Sequence, residues 1–109
     1  MSLQHVVLFK FPENVAPELL AELDARVRAW PSEIAGIEVL RLGTDLTGDR
    51  TRGHQLLLYM EFADVESLRA YQTHPVHAAF LAWVLEYGCV PLAFDYLLDK
   101  TTVIVGDGV

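Results

Sequence analysis

A single cysteine, Cys89, occurs among the 109 residues, so the chain has no partner for an internal disulfide. Long apolar runs are missing as well. The longest, 78–85, is far shorter than the roughly 20 residues that a membrane-spanning helix needs. The first residues, Met-Ser-Leu-Gln-His, contain neither a basic segment nor an apolar segment of the secretory type. These absences predict a cytoplasmic protein with no membrane partner.

Positive charge is also scarce, with 8 Lys and Arg against 15 Asp and Glu and a formal net charge of −7. Only Arg50 and Arg52 lie close together in a polar segment, and Asp45 and Asp49 flank them. Because binding to a phosphate backbone requires a concentrated positive surface, nucleic acid is not an expected partner. Hydrophobic residues make up 52% of the chain and charged residues 21%, which excludes intrinsic disorder and predicts one folded domain.

Segments rich in β-branched and aromatic residues alternate with segments whose apolar residues recur every three or four positions. Pro17, Asp64 and Pro75 suit the starts of three helices. Pro31 is expected to end the first helix, and Gly88 the third. The predicted strands cover 5–11, 37–46, 54–62 and 90–99, and the predicted helices cover 17–30, 65–71 and 75–87.

This order of elements, β-α-β-β-α-α-β, predicts a ferredoxin-like α+β fold in which helices cover one face of an antiparallel sheet. The first and third strands should be central in that plan, and they are the most apolar strands here. Residues 1–100 are expected to form the domain. The tail, 101–109, contains a Thr-Thr-Val-Ile-Val segment that could add a short edge strand.

The predicted sheet is apolar on both faces, although helices can cover only one of them. A second copy of the chain is the simplest cover, and it would give a homodimer joined through the sheet faces as a barrel or sandwich. The alternative is a monomer that exposes an apolar sheet. The third strand illustrates the pattern, with Leu56, Leu58, Met60 and Phe62 on one face and Leu57 and Tyr59 on the other.

Several motifs together resemble the stress-responsive A/B-barrel (Dabb) family of dimeric α+β barrel proteins, over about residues 3–99. The resemblance implies a homodimer whose two sheets form a joint barrel. The motifs are the His-Val-Val-Leu-Phe-Lys-Phe segment at 5–11, Gly36, Gly43, the Tyr-Gln-Thr-His-Pro-Val-His element at 71–77 and the Phe-Asp-Tyr segment at 94–96.

The resemblance also implies a function, because a plant polyketide cyclase of this family closes a linear polyketide by an aldol condensation without a cofactor. Its pocket lies between helices and sheet, and its catalytic His and Tyr correspond to His77 and Tyr71. A His of its first strand corresponds to His5, which places His5 on the helix side of the sheet. A further His of the cyclase aligns with Leu56, where this chain departs from the pattern, since His54 is two positions away.

His77 is therefore a candidate general base, because neutral imidazole titrates near working pH and can remove a proton from a carbon beside a carbonyl. Tyr71 is a candidate hydrogen-bond donor to the developing enolate. The alternative for both is a packed core residue whose polar atoms bond locally, with His77 bonded to backbone or to Tyr71. His74 is expected to cap the third helix.

No cofactor or metal is expected. The His74-x-x-His77 spacing, with Asp95 as a third ligand, is a weak metal pattern because Pro75 disturbs the helical register between the two rings. For Asp95 we consider instead an ion pair across the dimer with Lys10 or Arg41. Three functions stay open: a cofactor-free cyclase or isomerase acting on a polyketide-like carbonyl compound, a non-catalytic dimer that binds small molecules or acts in stress, and a cofactor-independent monooxygenase.

Overall fold

The fold is that of a computed structural model, which describes residues 2–108. Four strands form one antiparallel sheet in the order β2-β3-β1-β4, so the first and third strands are central, as predicted. The strands are β1 (Leu3–Lys10), β2 (Val39–Thr44), β3 (Leu56–Phe62) and β4 (Val90–Leu97), and the helices are α1 (Pro17–Glu33), α2 (Val65–Gln72) and α3 (Pro75–Glu86).

The predicted helix starts are confirmed, and α3 also ends where expected. The Asp64 carboxylate accepts a hydrogen bond from the Ser67 N–H at 2.8 Å, which caps α2. His74 caps α3 as predicted, since its Nδ1 accepts from the Val76 N–H at 3.1 Å. Gly88 has a φ of 83°, a left-handed conformation that suits glycine and turns the chain out of α3.

Pro31 lies inside α1, so the prediction that it ends the helix is wrong. Proline removes the N–H that would bond to the carbonyl of residue 27, but this loss falls in the last turn, where few helical bonds remain. The Ile34 N–H donates to the Trp30 carbonyl at 2.7 Å and closes the helix. Strands β2 and β3 are shorter than predicted, because residues 45–55 form the loop between them.

The predicted edge strand in the tail is also absent among the described residues. Strand β4 ends at Leu97, and residues Leu98–Lys100 form a 3₁₀ turn. The Thr101 hydroxyl donates to the Leu97 carbonyl at 2.9 Å and fixes this turn. The tail that follows, 102–108, has no regular secondary structure.

The helices pack on one face of the sheet and enclose the core. Leu23, Val27 and Trp30 of α1 are buried there against alternate residues of the central strands. The core-facing side chains of β3 are Leu56, Leu58, Met60 and Phe62, as the alternation predicts. Within residues 2–108, no helix is long and apolar enough to cross a membrane.

The opposite face, which we call the helix-free face, carries apolar side chains that nothing in residues 2–108 covers. Phe94, Leu92 and Leu57 are 67%, 56% and 40% exposed. The register aligns them in two rows across the sheet. One row contains Leu57, Leu8 and Leu92, and the other contains Tyr59, Val6 and Phe94.

Candidate active site

A cavity of about 180 Å³ lies between the helix-covered face of the sheet and helices α2 and α3. One end is polar and contains the three residues that sequence analysis singled out: His5, Tyr71 and His77. The remaining wall is largely apolar, so a ligand would meet polar groups at one end only. That wall includes Val7, Phe9, Phe80, Leu81, Pro91 and Ala93.

His5 owes its place to the sheet register. It lies on β1 directly opposite Asp95 on β4, and alternation turns both side chains toward the helices. The His5 ring is 4% exposed, and its Nδ1 is hydrogen-bonded to the Asp95 carboxylate. Because an ionised carboxylate accepts, Nδ1 is the donor, and Nε2 is the ring nitrogen left without this partner.

This contact corrects our hypothesis for Asp95, which proposed an ion pair across a dimer with Lys10 or Arg41. The β1–β4 register brings the carboxylate to His5 of the same chain instead. Arg41 lies on the other face, with its guanidinium 5.0 Å from the centre of the Tyr59 ring. Asp95 is thus a site residue that sequence reasoning misplaced.

Tyr71, near the end of α2, is the aromatic centre of the site. Its ring lies 5.6 Å from the rings of both His5 and Trp30 and 5.3 Å from that of Phe62, measured between centroids. Among the described residues, its hydroxyl has no hydrogen-bond partner. Burial raises the pKa of Tyr71 above its ordinary 10.0, and the nearby negative charge of Asp95 raises it further. Tyr71 therefore remains a neutral phenol that can donate a hydrogen bond.

His77 lies in the first turn of α3, and its ring centre is 4.3 Å from that of Tyr71. Its Nδ1 lies 3.0 Å from the backbone carbonyl of Gln72. A carbonyl only accepts, so the neutral ring carries its proton on Nδ1 and has its free electron pair on Nε2. The backbone bond considered above as an alternative to catalysis is therefore present, and it leaves Nε2 basic.

The surroundings of His77 also favour the neutral ring. Burial lowers the pKa of His77 below its ordinary 6.5, and the neighbouring His5 lowers it further. The hydrogen bond to the Gln72 carbonyl raises the pKa of His77, but its effect is smaller than that of burial. His77 is consequently a base that stays unprotonated into mildly acidic solution.

Leu56 and His54 lie outside this cavity. Leu56 is 7% exposed and belongs to the core, where it lies across from Phe9 of the cavity wall. His54 lies in the loop before β3, where its Nδ1 is 2.8 Å from the Thr51 carbonyl. Within residues 2–108, no three side chains of the types that bind metals come together.

Several depressions in the described residues are larger than this cavity, and two of them, of about 460 and 360 Å³, lie at the loop between β2 and β3. Both include His54 and Gln55. The Gln55 amide is already used, since it accepts from the Phe11 N–H at 2.8 Å and donates to the Phe11 carbonyl at 3.0 Å. Glu13, Asp45 and His54 line the first of them, but among the described residues neither carboxylate is hydrogen-bonded to His54, whose Nδ1 is at the Thr51 carbonyl.

The comparisons with known proteins agree with the geometry. The chain matches the model of the Stress responsive A/B Barrel Domain family over residues 3–97. Among solved structures it resembles the Arabidopsis thaliana protein At3g17210 (25% identity, 94% of this chain and 99% of that one, TM-score 0.79). It also resembles a dimeric ferredoxin-like protein of unknown function from Bacteroides fragilis (25% identity, 87% and 94%, TM-score 0.71).

A third similar structure is the hydroxynitrile lyase of Passiflora edulis, which is 16% identical over 94% of this chain and 97% of that one, with a TM-score of 0.80. At that identity the likeness concerns the fold. No protein of curated function among those compared matches the chain significantly.

Proposed function

The chain belongs to the stress-responsive A/B barrel domain family, and we propose that it is a cofactor-independent, cytoplasmic cyclase or isomerase acting on a small polyketide-like carbonyl compound. One observation carries the proposal. The bond from His77 Nδ1 to the Gln72 carbonyl leaves Nε2 as a base beside the unpartnered Tyr71 hydroxyl, in a cavity with an apolar wall.

The proposed reaction begins when His77 Nε2 removes a proton from the carbon next to a substrate carbonyl. The electron pair of the broken C–H bond moves to the carbonyl oxygen, and the Tyr71 hydroxyl stabilises the enolate by donating a hydrogen bond. In a cyclisation, the enolate carbon then attacks a second carbonyl of the same molecule and forms the C–C bond. The protonated His77 returns its proton to the new alkoxide, which restores the neutral base.

His5 completes the polar end. In the neutral ring Nδ1–H donates to Asp95, so Nε2 can accept a hydrogen bond, and we assign His5 to orienting an enol or alcohol hydroxyl of the substrate. Its ring is oriented by Asp95 on one side and faces Tyr71 on the other. The cavity volume of about 180 Å³ is below the roughly 300–1,000 Å³ of pockets for drug-sized ligands, so the substrate is small or extends out of the cavity.

We further propose that the active protein is a homodimer joined through the helix-free face. The similar protein from Bacteroides fragilis is described as dimeric. In this chain, Phe94 and Leu92 on that face are more than half exposed, which is an unfavourable surface for a monomer. Packing a second sheet against it would bury both rows of apolar side chains.

Proton exchange provides a test that does not depend on the natural substrate. In D₂O, the protein should accelerate α-hydrogen exchange in a short methyl ketone such as 2-pentanone, followed by NMR, with a chelator present. The rate should rise as His77 loses its proton and level off with a midpoint below pH 6.5, because burial lowers the His77 pKa. The plateau should continue past neutral pH, since Tyr71 stays protonated.

Two results would contradict the proposed function. One is the absence of any exchange above the buffer rate, with either this ketone or longer dicarbonyl analogues. The other is an exchange rate that rises with a midpoint above pH 6.5, since another group would then be the base. Saturation of the rate with ketone concentration separates catalysis in the cavity from exchange at the surface.

A further inference from the structure

The cavity of the candidate active site opens on one side, between α3 and β4. Its deep end is closed, since His5, Tyr71 and Phe80 are buried. Leu81 of α3 and Ala93 of β4 also line the cavity, and both are exposed. Strand β4 is an edge strand, so no further strand within residues 2–108 covers this side. The opening therefore lies at the edge where a second chain would join the sheet.

Charge indicates which strand of a second chain joins that edge. In a dimer whose two sheets form one closed barrel, each edge strand pairs with an edge strand of the partner subunit. If β2 paired with its own copy over its full length, two Arg41 side chains would meet near the two-fold axis, because Arg41 lies in the middle of β2. Pairing of β2 with β4 avoids this repulsion, since β4 has no basic residue and carries Phe94 and Tyr96 on the same face as Arg41.

The register then determines which part of the partner subunit reaches the opening. One row crosses the sheet through one residue of each strand: Thr44, Leu56, Phe9 and Pro91. In an eight-stranded barrel with a tilt of about 36°, such a row shifts by about eight residues per full turn, and so by about four between a subunit and its copy. The right-handed tilt of the strands and the right-handed β1-α1-β2 crossover direct this shift toward the end of β2. Pro91 is then level with the partner's Gly48, and Ala93 with the partner's Leu46.

Leu46 is suited to cover an apolar opening. It lies in the loop between β2 and β3 and is 96% exposed, more than any other large apolar side chain among the described residues. An apolar side chain with so little cover in its own chain is favourable only if another surface buries it. A substrate that extends out of the cavity past Ala93 would meet this side chain.

We propose that Leu46 of each subunit covers the cavity of the partner subunit and contacts the aliphatic end of a substrate that extends past Leu81 and Ala93. The complete site would then contain residues of both chains, and it would bind a longer alkyl chain more tightly than a short one. This inference rests on the proposed homodimer and on the proposed function of the cavity.

Cross-linking between different chains tests the geometry without relying on catalysis. Chains with Leu46→Cys are mixed with isotopically labelled chains carrying Ala93→Cys, both in a Cys89→Ser background. A mild oxidant should form a disulfide between the two kinds of chain, because the two Cβ atoms would lie within reach of each other. Ser32→Cys on α1 replaces Ala93→Cys in the control and should give no such product. A dimer that gives no product between Leu46→Cys and Ala93→Cys would overturn the inference.

Kinetics test the contact with substrate. Leu46→Ser should raise the KM for α-hydrogen exchange in 2-octanone roughly tenfold and leave kcat and the KM for 2-pentanone unchanged, because only the longer ketone reaches the opening. Val65→Ser on α2 is the control, since Val65 is also exposed but does not line the cavity. An unchanged KM for 2-octanone in Leu46→Ser would overturn the inference.

Mixed dimers show which chain Leu46 serves. A large excess of His77→Gln chains should place each Leu46→Ser chain in a heterodimer, where its intact His77 lies under Leu46 of the partner subunit. The KM for 2-octanone should then return to the parent value, and a KM that stays high would assign Leu46 to its own chain and overturn the inference. If no exchange occurs with any ketone, the proposed chemistry fails, whereas the cross-link still tests the cover. If the protein is monomeric, the cover and the proposed homodimer fail together.

Discussion

Replacing His77 with glutamine should lower the rate of α-hydrogen exchange roughly 10²–10⁴-fold, the usual contribution of a general base. Glutamine keeps a polar side chain of similar size next to Tyr71 but has no basic nitrogen. The variant should therefore fold, with a melting temperature close to that of the parent protein. NMR of the ketone in D₂O measures the rate, and thermal unfolding followed by circular dichroism checks the fold.

His54→Gln is the matched control. The His54 ring also bonds to a backbone carbonyl through Nδ1, but it lies outside the cavity. Its exchange rate should stay at the parent level. The exchange rate of Tyr71→Phe should lie between those of the two variants, since this substitution removes only the hydroxyl that stabilises the enolate. Full activity in His77→Gln would eliminate His77 as the base, and unfolding of that variant would assign it to the scaffold.

Replacing Leu92 with aspartate should convert the proposed homodimer into the 12.2 kDa monomer at micromolar concentration. Leu92 lies beside Leu8 on the helix-free face, on the edge strand β4, so the carboxylate would be buried without a partner in the proposed dimer. The two-fold symmetry of the interface introduces the charge twice. We expect the dissociation constant to rise by two or more orders of magnitude in sedimentation equilibrium, because each subunit would bury an unpaired charge in place of an apolar side chain.

Leu85→Asp is the control for this effect. Leu85 on α3 is 51% exposed, close to the 56% of Leu92, but it lies among the helices rather than on the helix-free face. This variant should sediment like the parent protein. A Leu92→Asp variant that remains fully dimeric would show that the subunits associate through another surface.

Much of the fold follows from local patterns. Pro17 and Pro75 start their helices, and the alternation from Leu56 to Phe62 identifies the core face of β3. The prediction for Pro31 is wrong because proline breaks helix interiors, whereas in the last turn of α1 the missing N–H costs less. The tail shows that local composition is not sufficient for a strand. Its residues favour strands, but no strand of the described chain pairs with them.

The site was predictable in part. His5, Tyr71 and His77 do line one cavity, and the family resemblance was the signal that grouped them. Asp95 was assigned to the wrong partner because its contact depends on the β1–β4 register, which alternation alone does not determine. The Gln72 carbonyl was missed because a backbone group leaves no mark in the sequence, although it decides which nitrogen of His77 is basic.

Determining the tautomer of His77 tests the proposed role of His77 as the base most directly. Long-range ¹H–¹⁵N correlation spectra distinguish the two ring nitrogens, and loss of the signals in His77→Gln assigns them. At neutral pH we predict a neutral ring with its proton on Nδ1, donated to the Gln72 carbonyl, and a bare Nε2. A proton on Nε2, or a ring that is charged at neutral pH, would contradict the assignment of His77 as the base.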